Sequence, residues 1–558
     1  MRIGIDVGGT NTDAALLDGD TVLATVKAPT TPDVTTGILQ AVTRVLETAG
    51  IPPAAVTAVM IGTTHFVNAL VEGARLAPVA AIRLGLPATA ALPPMSDWPP
   101  RLRAALTPRP GGPTGPGGGT GTGGEDEPAV YLCHGGHEYD GRPLSPLDPA
   151  ELRSVAADIA ARGIRSVAVS AVFSPVTAED ELRAAEILAA ELGDGVHLSL
   201  SHEIGRVGLL PRENATIVNA ALRDLADTIV DAYGAALAQA GITAPLLLSQ
   251  NDGTLMNAPH ARRHPVATFA SGPTNSMRGA GHLSGLTDCA VIDVGGTTTD
   301  IGVLTGGFPR EAAGACDIAG VRTNFRIPDV LSLGIGGGSL ADLTDPASPA
   351  VGPRSVGHRL TRDALVFGGT TLTATDLAVA AGHADIGDPA RTAGLDRTAV
   401  RTALDRIAAR TADAVDRMRV SPDPLPVVAV GGGSVLLPPS GGLPGLPDVR
   451  RPGHFAVANA VGAAIAQVGG EIDRVYRIPP GRRGTVLDQA RDEAVRAAET
   501  AGARPGTVTV VDIEEIPLAY LPGGATRVRV KAVGDLDTTR LNATRHDTAA
   551  DAGSTAHA

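Results

Sequence analysis

The sequence predicts an α/β protein with two similar domains that face a shared cleft. Strand-like and helix-like segments alternate along most of the 558 residues, which is typical of α/β folds. One segment also occurs twice, because Arg2–Leu16 reads RIGIDVGGTNTDAAL and Val291–Leu304 reads VIDVGGTTTDIGVL. A chain of this length exceeds what one hydrophobic core usually serves, so the repeat indicates two related domains.

Charge and composition argue against several classes of partner. The formal net charge is −13, and the chain has no basic run with interleaved aromatic residues of the kind that binds nucleic acid. No apolar run reaches the roughly 18 residues that a membrane span needs. Asp6 and Asp13 interrupt the first apolar stretch, unlike in a signal peptide. We therefore expect a cytoplasmic protein that binds neither nucleic acid nor membrane.

The first predicted elements are a hairpin and a helix. The strand-like stretch from Arg2 leads into the turn GGTNTD, the chain returns through AALLDGD, and TVLATVKAP extends after an Asp-Gly turn. A helical pattern then runs from about Pro32 to Gly50. Ala55–Leu70 predicts a strand, a Gly-Thr-Thr turn and the start of a helix, and the turn falls where strands commonly deliver polar groups to a ligand.

Strand-like and helix-like segments alternate again after a glycine-rich stretch. Residues 107–124 cannot bury apolar area and predict a flexible loop. A strand is predicted over residues 166–173, and a helix follows whose Thr-Ala-Glu-Asp start suggests an N-cap at Thr177. Residues 213–241 have helical spacing throughout, and residues 244–256 predict a strand.

The second half begins with the repeated segment, which predicts another strand, turn and strand. Next come LSLGIGGGSL (331–340), helices over 374–381 and 397–418, and LPVVAVGGGSVLL (425–437). The polar residues 536–558 predict a disordered tail. The predicted units are residues 1–200 and 201–475 as two domains, 476–535 as a short C-terminal segment, and 536–558 as the tail.

The repeated turn has the chemistry of a phosphate site. Its glycines let an anion approach the backbone N–H groups, and its threonine hydroxyls are further donors. Asp6 and Asp293, at the ends of the first strands, are candidate catalytic residues and candidate ligands of Mg²⁺, directly or through water. Asp13 and Asp300 either join them or cap the hairpins, and the sequence leaves both interpretations open. Two facing hairpins predict that one triphosphate is held from both sides.

The order of these motifs resembles the actin-like (ribonuclease H-like) ATPase superfamily, in which a glycine-rich turn after two phosphate hairpins holds the adenosine. VVAVGGGSVLLP, residues 427–438, stands where that turn is expected. Within the superfamily, the chain is similar to the hydantoinase A/5-oxoprolinase family through IGTTHFVNALVE, LLPRENATIVNAAL, FASGPTNSMRGAGHL and LSLGIGGGSLA. The resemblance runs from Ile3 to about Val468, and little structured sequence follows, so we expect a short form of the family.

The resemblance implies opening of a cyclic amide, such as a hydantoin, 5-oxoproline or another lactam, by phosphorylation of the amide oxygen. It also implies ATP and Mg²⁺ as cofactors and a hydantoinase B-type or other partner subunit. The chain departs from the family at Leu331, where many relatives carry a histidine in an Asp-Ile-His-Thr context. Alternatives are a small-molecule kinase, an ATP-dependent ketone carboxylase subunit and a nucleotide-switched binding protein.

Several further residues complete the candidate site. Thr63, Thr64 and Asn251 are candidate substrate contacts, but the threonines equally suit a helix cap and Asn251 an Asx-turn. LGIGGGS is either a loop of the site or a flexible connection, and we favour the site. The candidate nucleotide-binding residues are Gly8, Gly9, Thr10, Asn11, Thr12, Gly295, Gly296, Thr297, Thr298, Gly336, Gly337, Gly431, Gly432, Gly433 and Ser434.

Overall fold

The two repeated hairpins lie in two different β-sheets. The computed structural model describes residues 1–9, 11–29, 34–108, 127–439, 442–446, 449–519, 521 and 524–538. The strands are β1 (Arg2–Val7), β2 (Asn11–Asp18), β3 (Thr21–Pro29), β4 (Ala58–Thr63), β5 (Val79–Leu86), β6 (Ala129–His134), β7 (Ser166–Ala171), β8 (His197–Leu200), β9 (Leu246–Ser249), β10 (Thr254–Asn257), β11 (Cys289–Val294), β12 (Thr299–Thr305), β13 (Phe308–Pro309), β14 (Cys316–Ile318), β15 (Val321–Thr323), β16 (Val330–Leu333), β17 (Ser339–Asp342), β18 (Ala350–Ser355), β19 (Val427–Val430), β20 (Val449–Arg450), β21 (Gln467–Arg477), β22 (Thr509–Pro517) and β23 (Ala525–Gly534).

Helices alternate with these strands. They are α1 (Val34–Ala49), α2 (His65–Glu72), α3 (Pro100–Ala105), α4 (Pro149–Ala161), α5 (Glu179–Leu192), α6 (Ser201–Ile204), α7 (Leu209–Ala221), α8 (Arg223–Gln239), α9 (Ala258–Arg263), α10 (Ser271–Ser284), α11 (Leu360–Asp363), α12 (Ala374–Ala380), α13 (Arg397–Met418), α14 (Ala458–Ala464) and α15 (Arg483–Ala501). Among the residues that the structure describes, no helix is long and apolar enough to cross a bilayer.

The first hairpin belongs to a nine-stranded sheet with the order β22-β23-β21-β10-β9-β4-β1-β2-β3. Within it, β1 is antiparallel to β2 and parallel to β4. Ala14 and Leu16 of β2 belong to the core that includes α1 and α8, whereas Ala15 and Leu17 pack with α14. Because successive strand residues point to opposite faces, helices cover this sheet on both sides.

The second hairpin has the same layout in another sheet. The path of this sheet is β13-β12-β11-β19-β20, and β16 pairs with β12. β11 is antiparallel to β12 and parallel to β19. Ile292 packs in a core with α12 and α13, whereas Val291 packs with Met277 of α10 on the other face.

Two glycine-containing helices join these two layers. α10 packs on the second sheet and α14 on the first, and the two helices cross in direct contact. A Cβ atom on Gly279 would lie 1.8 Å from Ala458 O, and one on Gly462 would lie 1.9 Å from Asn275 O. The backbones therefore touch at the crossing, where side chains would not fit.

The strands that follow β4 and precede β9 in the sequence form a third sheet. Its order is β6-β5-β7-β8, and every neighbouring pair is parallel. Its core includes Ile82, Val169, Leu152 of α4 and Leu188 of α5. The chain then returns to the nine-stranded sheet through β9, so this unit interrupts the first layer in sequence without disturbing its strand order.

Three predicted elements differ from the structure. The single helix predicted over 213–241 is wrong, because the structure has two helices, α7 and α8, that meet at Leu222. Leu222 is fully buried, and no glycine or proline at this position marks the break in the sequence. The single strand predicted over 244–256 is also wrong. β9 and β10 form a hairpin whose turn contains Gly253 at φ +83°. The N-cap predicted at Thr177 is wrong too, since α5 begins at Glu179 after a residue without a capping side-chain bond.

Two predicted flexible regions lie mainly outside the described residues. Of the predicted loop, only Thr107 and Pro108 are described. Of the predicted tail, residues 536–538 are described, and Leu536 is buried and forms a bridge with Ala503. The remaining predicted elements agree with the strands and helices above within a few residues.

Candidate functional site

Both repeated turns close with the same backbone hydrogen bond. In the first hairpin, Gly8 N donates to Asn11 O at 3.0 Å. In the second, Gly295 N donates to Thr298 O at 2.9 Å. The repeat in the sequence is therefore also a repeat in backbone geometry.

An aspartate pair stands directly behind each turn. Asp6 lies opposite Asp13 across the first hairpin, and Asp293 lies opposite Asp300 across the second. The first aspartate of each pair lies near the carboxyl end of its strand, beside a parallel neighbour. In α/β sheets, ligands commonly bind at this end of the strands.

A cavity of about 300 Å³ opens between the two hairpins. Its polar part contains three carboxylates, from Asp6, Asp13 and Asp293, and the ammonium group of Lys27. Its apolar part is lined by Leu360, Phe367, Ile386 and Val435. The predicted site residues that line it are Asp6, Gly8, Gly9, Asn11, Asp293, Gly295, Gly296, Gly337, Gly431, Gly432 and Gly433.

Asp6 has one oxygen held by the protein and one without a protein partner. Asn459 Nδ2 donates to Oδ2 at 2.8 Å, while Oδ1 is buried and has no hydrogen-bond partner in the described part of the chain. A Cβ atom on Gly62 would lie 2.7 Å from Oδ1, so this position requires glycine. Burial, together with the charge of Asp13, raises the pKa of Asp6 to about 7.

The pKa of Asp293 is raised as well. Burial raises its pKa to about 6 against the hydrogen bond from Ser276, and the charge of Asp300 adds to the rise. A Cβ atom on Gly431 would lie 2.2 Å from Asp293 Oδ1, and Gly431 also has φ +82°. The unpartnered Oδ1 of Asp6 and the nearby carboxylate of Asp293 fit a hard cation such as Mg²⁺, which would hold both groups in the charged form.

The two glycine-rich loops pack onto the second hairpin. Gly337 N donates to Gly295 O at 3.0 Å, and a Cβ atom on Gly433 would lie 2.5 Å from the same oxygen. A Cβ atom on Gly336 would lie 2.5 Å from Thr297 N. Gly337 and Gly433 line the cavity, whereas Gly336 lies behind the hairpin and supports it.

The remaining predicted nucleotide contacts that the structure describes lie outside the cavity lining. Ser434 is fully buried, and Thr12 is buried in the first hairpin. Thr297 and Thr298 are exposed at the tip of the second hairpin. Thr10 lies outside the described residues.

The three candidate substrate contacts do not line the cavity either. Thr63 Oγ1 accepts a hydrogen bond from the Tyr233 hydroxyl at 2.8 Å, and Thr64 Oγ1 donates to Val7 O at 3.3 Å. Asn251 uses both ends of its side-chain amide on backbone groups, at 2.8 and 3.0 Å. All three side chains therefore form hydrogen bonds that connect different parts of the chain.

Sequence reasoning missed four polar residues of the cavity, namely Lys27, Ser276, Thr375 and Asn459. Lys27 lies opposite Asp13 in the β2–β3 register, which an alignment of the predicted hairpin strands would have revealed. Ser276 and Asn459 reach the cavity from the crossing helices α10 and α14. No local pattern in the sequence connects them with the hairpins.

Leu331, at the position where many relatives carry a histidine, has an apolar role. It lies on β16 opposite Ile301 of β12. The side chain packs against the core of the second sheet. A leucine there extends the hydrophobic core and provides no polar group.

Comparison with protein families matches two consecutive regions of the chain. Residues 2–192 match the hydantoinase/oxoprolinase N-terminal region. Residues 212–420 match the hydantoinase/oxoprolinase domain. Together these matches include both hairpins and the LGIGGGS loop.

Two of the curated relatives are enzyme subunits. The chain is 29% identical over 433 residues to the caprolactamase subunit alpha of Pseudomonas jessenii, covering 74% of this chain and 58% of that protein. It is 26% identical over 255 residues to the acetophenone carboxylase gamma subunit of Aromatoleum aromaticum, covering 44% and 34% respectively. The chain thus spans about half the length of the curated relatives it matches.

Two solved structures share the fold. The ATP-dependent caprolactamase from Pseudomonas jessenii superposes with a TM-score of 0.72 at 20% identity, covering 96% of this chain and 88% of that one. Nucleotide-free acetone carboxylase superposes with a TM-score of 0.65 at 18% identity and the same coverage. The predicted actin-like α/β fold is therefore confirmed.

Proposed function

The chain belongs to the hydantoinase/oxoprolinase family, and on this basis we propose that it is the ATP-using subunit of an enzyme that opens a cyclic amide. The nucleotide would lie in the cavity between the two hairpins. The observation that carries this proposal is the matched geometry of those hairpins, whose turns close in the same way and whose residues Asp6, Asp13 and Asp293 line one cavity.

The cavity has the chemistry that a nucleotide needs. Its glycine-rich turns allow close approach to backbone N–H groups, as phosphate binding requires. Asp6 and Asp293 would hold Mg²⁺, which neutralises phosphate charge when bound. The apolar side chains of Leu360, Phe367 and Val435 offer a surface for the base near the Gly431 turn.

The proposed reaction makes a poor electrophile reactive. The amide oxygen of the ring attacks the γ-phosphorus of ATP, and ADP leaves. Water then adds to the activated carbon, and the ring nitrogen leaves with a proton to give an acyl phosphate. A second water hydrolyses this to a carboxylate and inorganic phosphate. The balance is one cyclic amide, one ATP and two waters to one amino acid, ADP and phosphate.

The named relatives support both the substrate class and a partner. One is a subunit of a caprolactamase, and the other is a subunit of an acetophenone carboxylase. We propose a lactam or a related ring as the substrate and a hydantoinase B-type subunit as the partner that completes hydrolysis. The carboxylase relationship makes activation of a ketone the main alternative.

Phosphate release from MgATP tests the proposal. The purified chain, alone and with a hydantoinase B-type partner, is assayed with caprolactam, 5-oxoproline, hydantoin and acetophenone, with and without bicarbonate. Asp293→Asn is the variant that we expect to be inactive, and Asp20→Asn, at an exposed turn, is its matched control.

Stimulation by a cyclic amide, with a ring-opened product, supports the proposal. Stimulation by acetophenone only with bicarbonate favours the carboxylase alternative, and a stable phosphorylated product favours a kinase. ATP binding without turnover in every mixture indicates a nucleotide-switched binding protein.

A further inference from the structure

The charge inside the cavity is unbalanced. The described residues that line it include three carboxylates, Asp6, Asp13 and Asp293, and a single cationic side chain, Lys27. A polyphosphate entering this space would meet like charge on several sides. Mg²⁺ bound to Asp6 and Asp293 would offset part of that repulsion, but Asp13 has Lys27 as its direct partner.

Lys27 lies between the first hairpin and the glycine-rich turn that follows β19. Its Nζ atom lies 2.7 Å from both carboxylate oxygens of Asp13. A Cβ atom on Gly432 would lie 3.6 Å from its Cε atom and 4.0 Å from Nζ. The ammonium charge also acts against the burial-raised pKa values of Asp6 and Asp293. Lys27 thus faces the first hairpin and the turn after β19 at once.

The ammonium group has donor capacity beyond this pair. Lysine has three N–H donors, and Asp13 accepts two of them. The side chain of Lys27 is 35% exposed, whereas that of Asp13 is 4% exposed. The pair therefore presents its cationic side to the cavity.

The choice of lysine is itself informative. The chain has two lysines, Lys27 and Lys531, among 46 basic residues. Lys531 is buried against Asp252, with its Nζ atom 2.8 Å from Oδ2. A compact ammonium group places its charge at one point, unlike the planar fork of arginine. Such a group suits the narrow space between a carboxylate and a phosphate.

We propose that Lys27 is a phosphate-binding residue, whose ammonium group bridges Asp13 and the polyphosphate of the bound nucleotide. This inference rests on the nucleotide site of the proposed function. The bridge would fix the nucleotide against the first hairpin while Asp13 keeps the ammonium group in place. Loss of one charge-assisted hydrogen bond predicts about 10- to 100-fold weaker binding of MgATP.

Protection from acylation tests the bridge in the unmodified protein. The free chain is treated with N-hydroxysuccinimidyl acetate, with and without saturating MgATP, and acetylation of each lysine is quantified by mass spectrometry. We expect Lys27 to react and MgATP to protect it. Lys531, whose side chain is 5% exposed, is the internal control and should stay unmodified in both samples.

A double-mutant cycle separates phosphate binding from simple neutralisation of Asp13. MgATP binding is measured by calorimetry for wild type, Lys27→Met, Asp13→Asn and the double variant. If Lys27 binds phosphate, the double variant stays weakened and Lys27→Arg recovers part of the affinity. If Lys27 only neutralises Asp13, the double variant binds like wild type, which overturns the inference.

The two proposals fail in different ways. Absence of MgATP binding to the wild-type chain would contradict the nucleotide site itself. Tight MgATP binding without protection of Lys27 would contradict only the bridge. The acylation experiment needs no substitution, so misfolding of a variant does not leave the inference undecided.

Discussion

Asp6 and Asp293 combine burial with a position beside the proposed cation site. The pKa of Asp6 is about 7 and that of Asp293 about 6, both raised mainly by burial. In the free protein near pH 6, Asp6 is therefore mostly protonated. A divalent cation needs the carboxylates charged, so its binding must displace a proton.

MgATP affinity should therefore rise with pH. We expect binding to strengthen from pH 6 to pH 8 and to level off once Asp6 is ionised in the free protein. Calorimetry in two buffers of different ionisation enthalpy should show proton release at pH 6.5 that fades by pH 8. Affinity and proton release that do not change with pH would contradict this account.

The same proton predicts the opposite trend for the free protein. The folded state holds the Asp6 proton more tightly than the unfolded chain, so this contribution to the free energy of unfolding falls as pH rises from about 4 through 7. Asp6→Asn should flatten that decline in urea titrations. Asp20→Asn, at an exposed turn, should leave it unchanged.

Gly431 is a residue where a single methyl group reaches the site. Alanine there would place Cβ 2.2 Å from Asp293 Oδ1 and would strain a backbone at φ +82°. Gly431→Ala should weaken MgATP binding at least tenfold, on the scale of about 1.4 kcal/mol per decade. Gly453→Ala, with no neighbour within 4 Å of the new Cβ, is the control and should bind normally.

At the scale of elements, the crossing of α10 and α14 positions both aspartates. α10 carries Ser276, which bonds Asp293, and α14 carries Asn459, which bonds Asp6. The crossing depends on Gly279 and Gly462, whose backbones touch the facing helix. Displacement of one helix would therefore change the support of both carboxylates.

Alanine at this crossing should affect stability and binding together. Gly279→Ala would place Cβ 1.8 Å from Ala458 O, and overpacking of this kind costs about 1–3 kcal/mol. We expect a lower free energy of unfolding in urea and weaker MgATP binding. Gly234→Ala in α8 has open space around the new Cβ and should be neutral or slightly stabilising. Equal behaviour of the two variants would contradict the role of the crossing.

Local elements could be predicted from the sequence, but the contacts between distant segments could not. The hairpins and the positions of Asp6 and Asp293 follow from a repeat of a few residues. The bond from Asn459 to Asp6 spans 453 positions, and no local pattern encodes it. No glycine or proline marks the break between α7 and α8 at Leu222. This residue is fully buried, so tertiary packing and not a local sequence signal sets the end of α7.

At the scale of the whole molecule, a partly buried ion-pair network ties the last strands to the middle of the chain. Asp473 on β21 accepts from Arg527 Nε at 2.7 Å and from Arg326 Nη2 at 3.0 Å. Arg206 Nε lies 3.7 Å away. Burial alone would raise the pKa of Asp473, but these arginines outweigh it and the pKa is lowered.

Removing the Asp473 charge should destabilise the fold. Asp473→Asn removes the main anion beside Arg527 and one of the anions beside Arg206 and Arg326, which also face Glu311 and Glu471. Because the network is only partly buried, the cost should stay below about 3–5 kcal/mol, which is the cost of losing one partner of a fully buried pair. The difference from wild type should be full at neutral pH and shrink as pH falls, because the wild-type contribution is lost on protonation. Asp492→Asn on the exposed side of α15 is the control for these urea titrations.

The central claim is that two hairpins hold one nucleotide. Calorimetric titration of ATP in the presence of Mg²⁺ into wild type, Asp6→Asn and Asp293→Asn tests it most directly, with Asp20→Asn as the control. The account predicts one site per chain, weakened by either substitution and unaffected by the control. Two sites lost independently, or one site that needs only one of these aspartates, would contradict it.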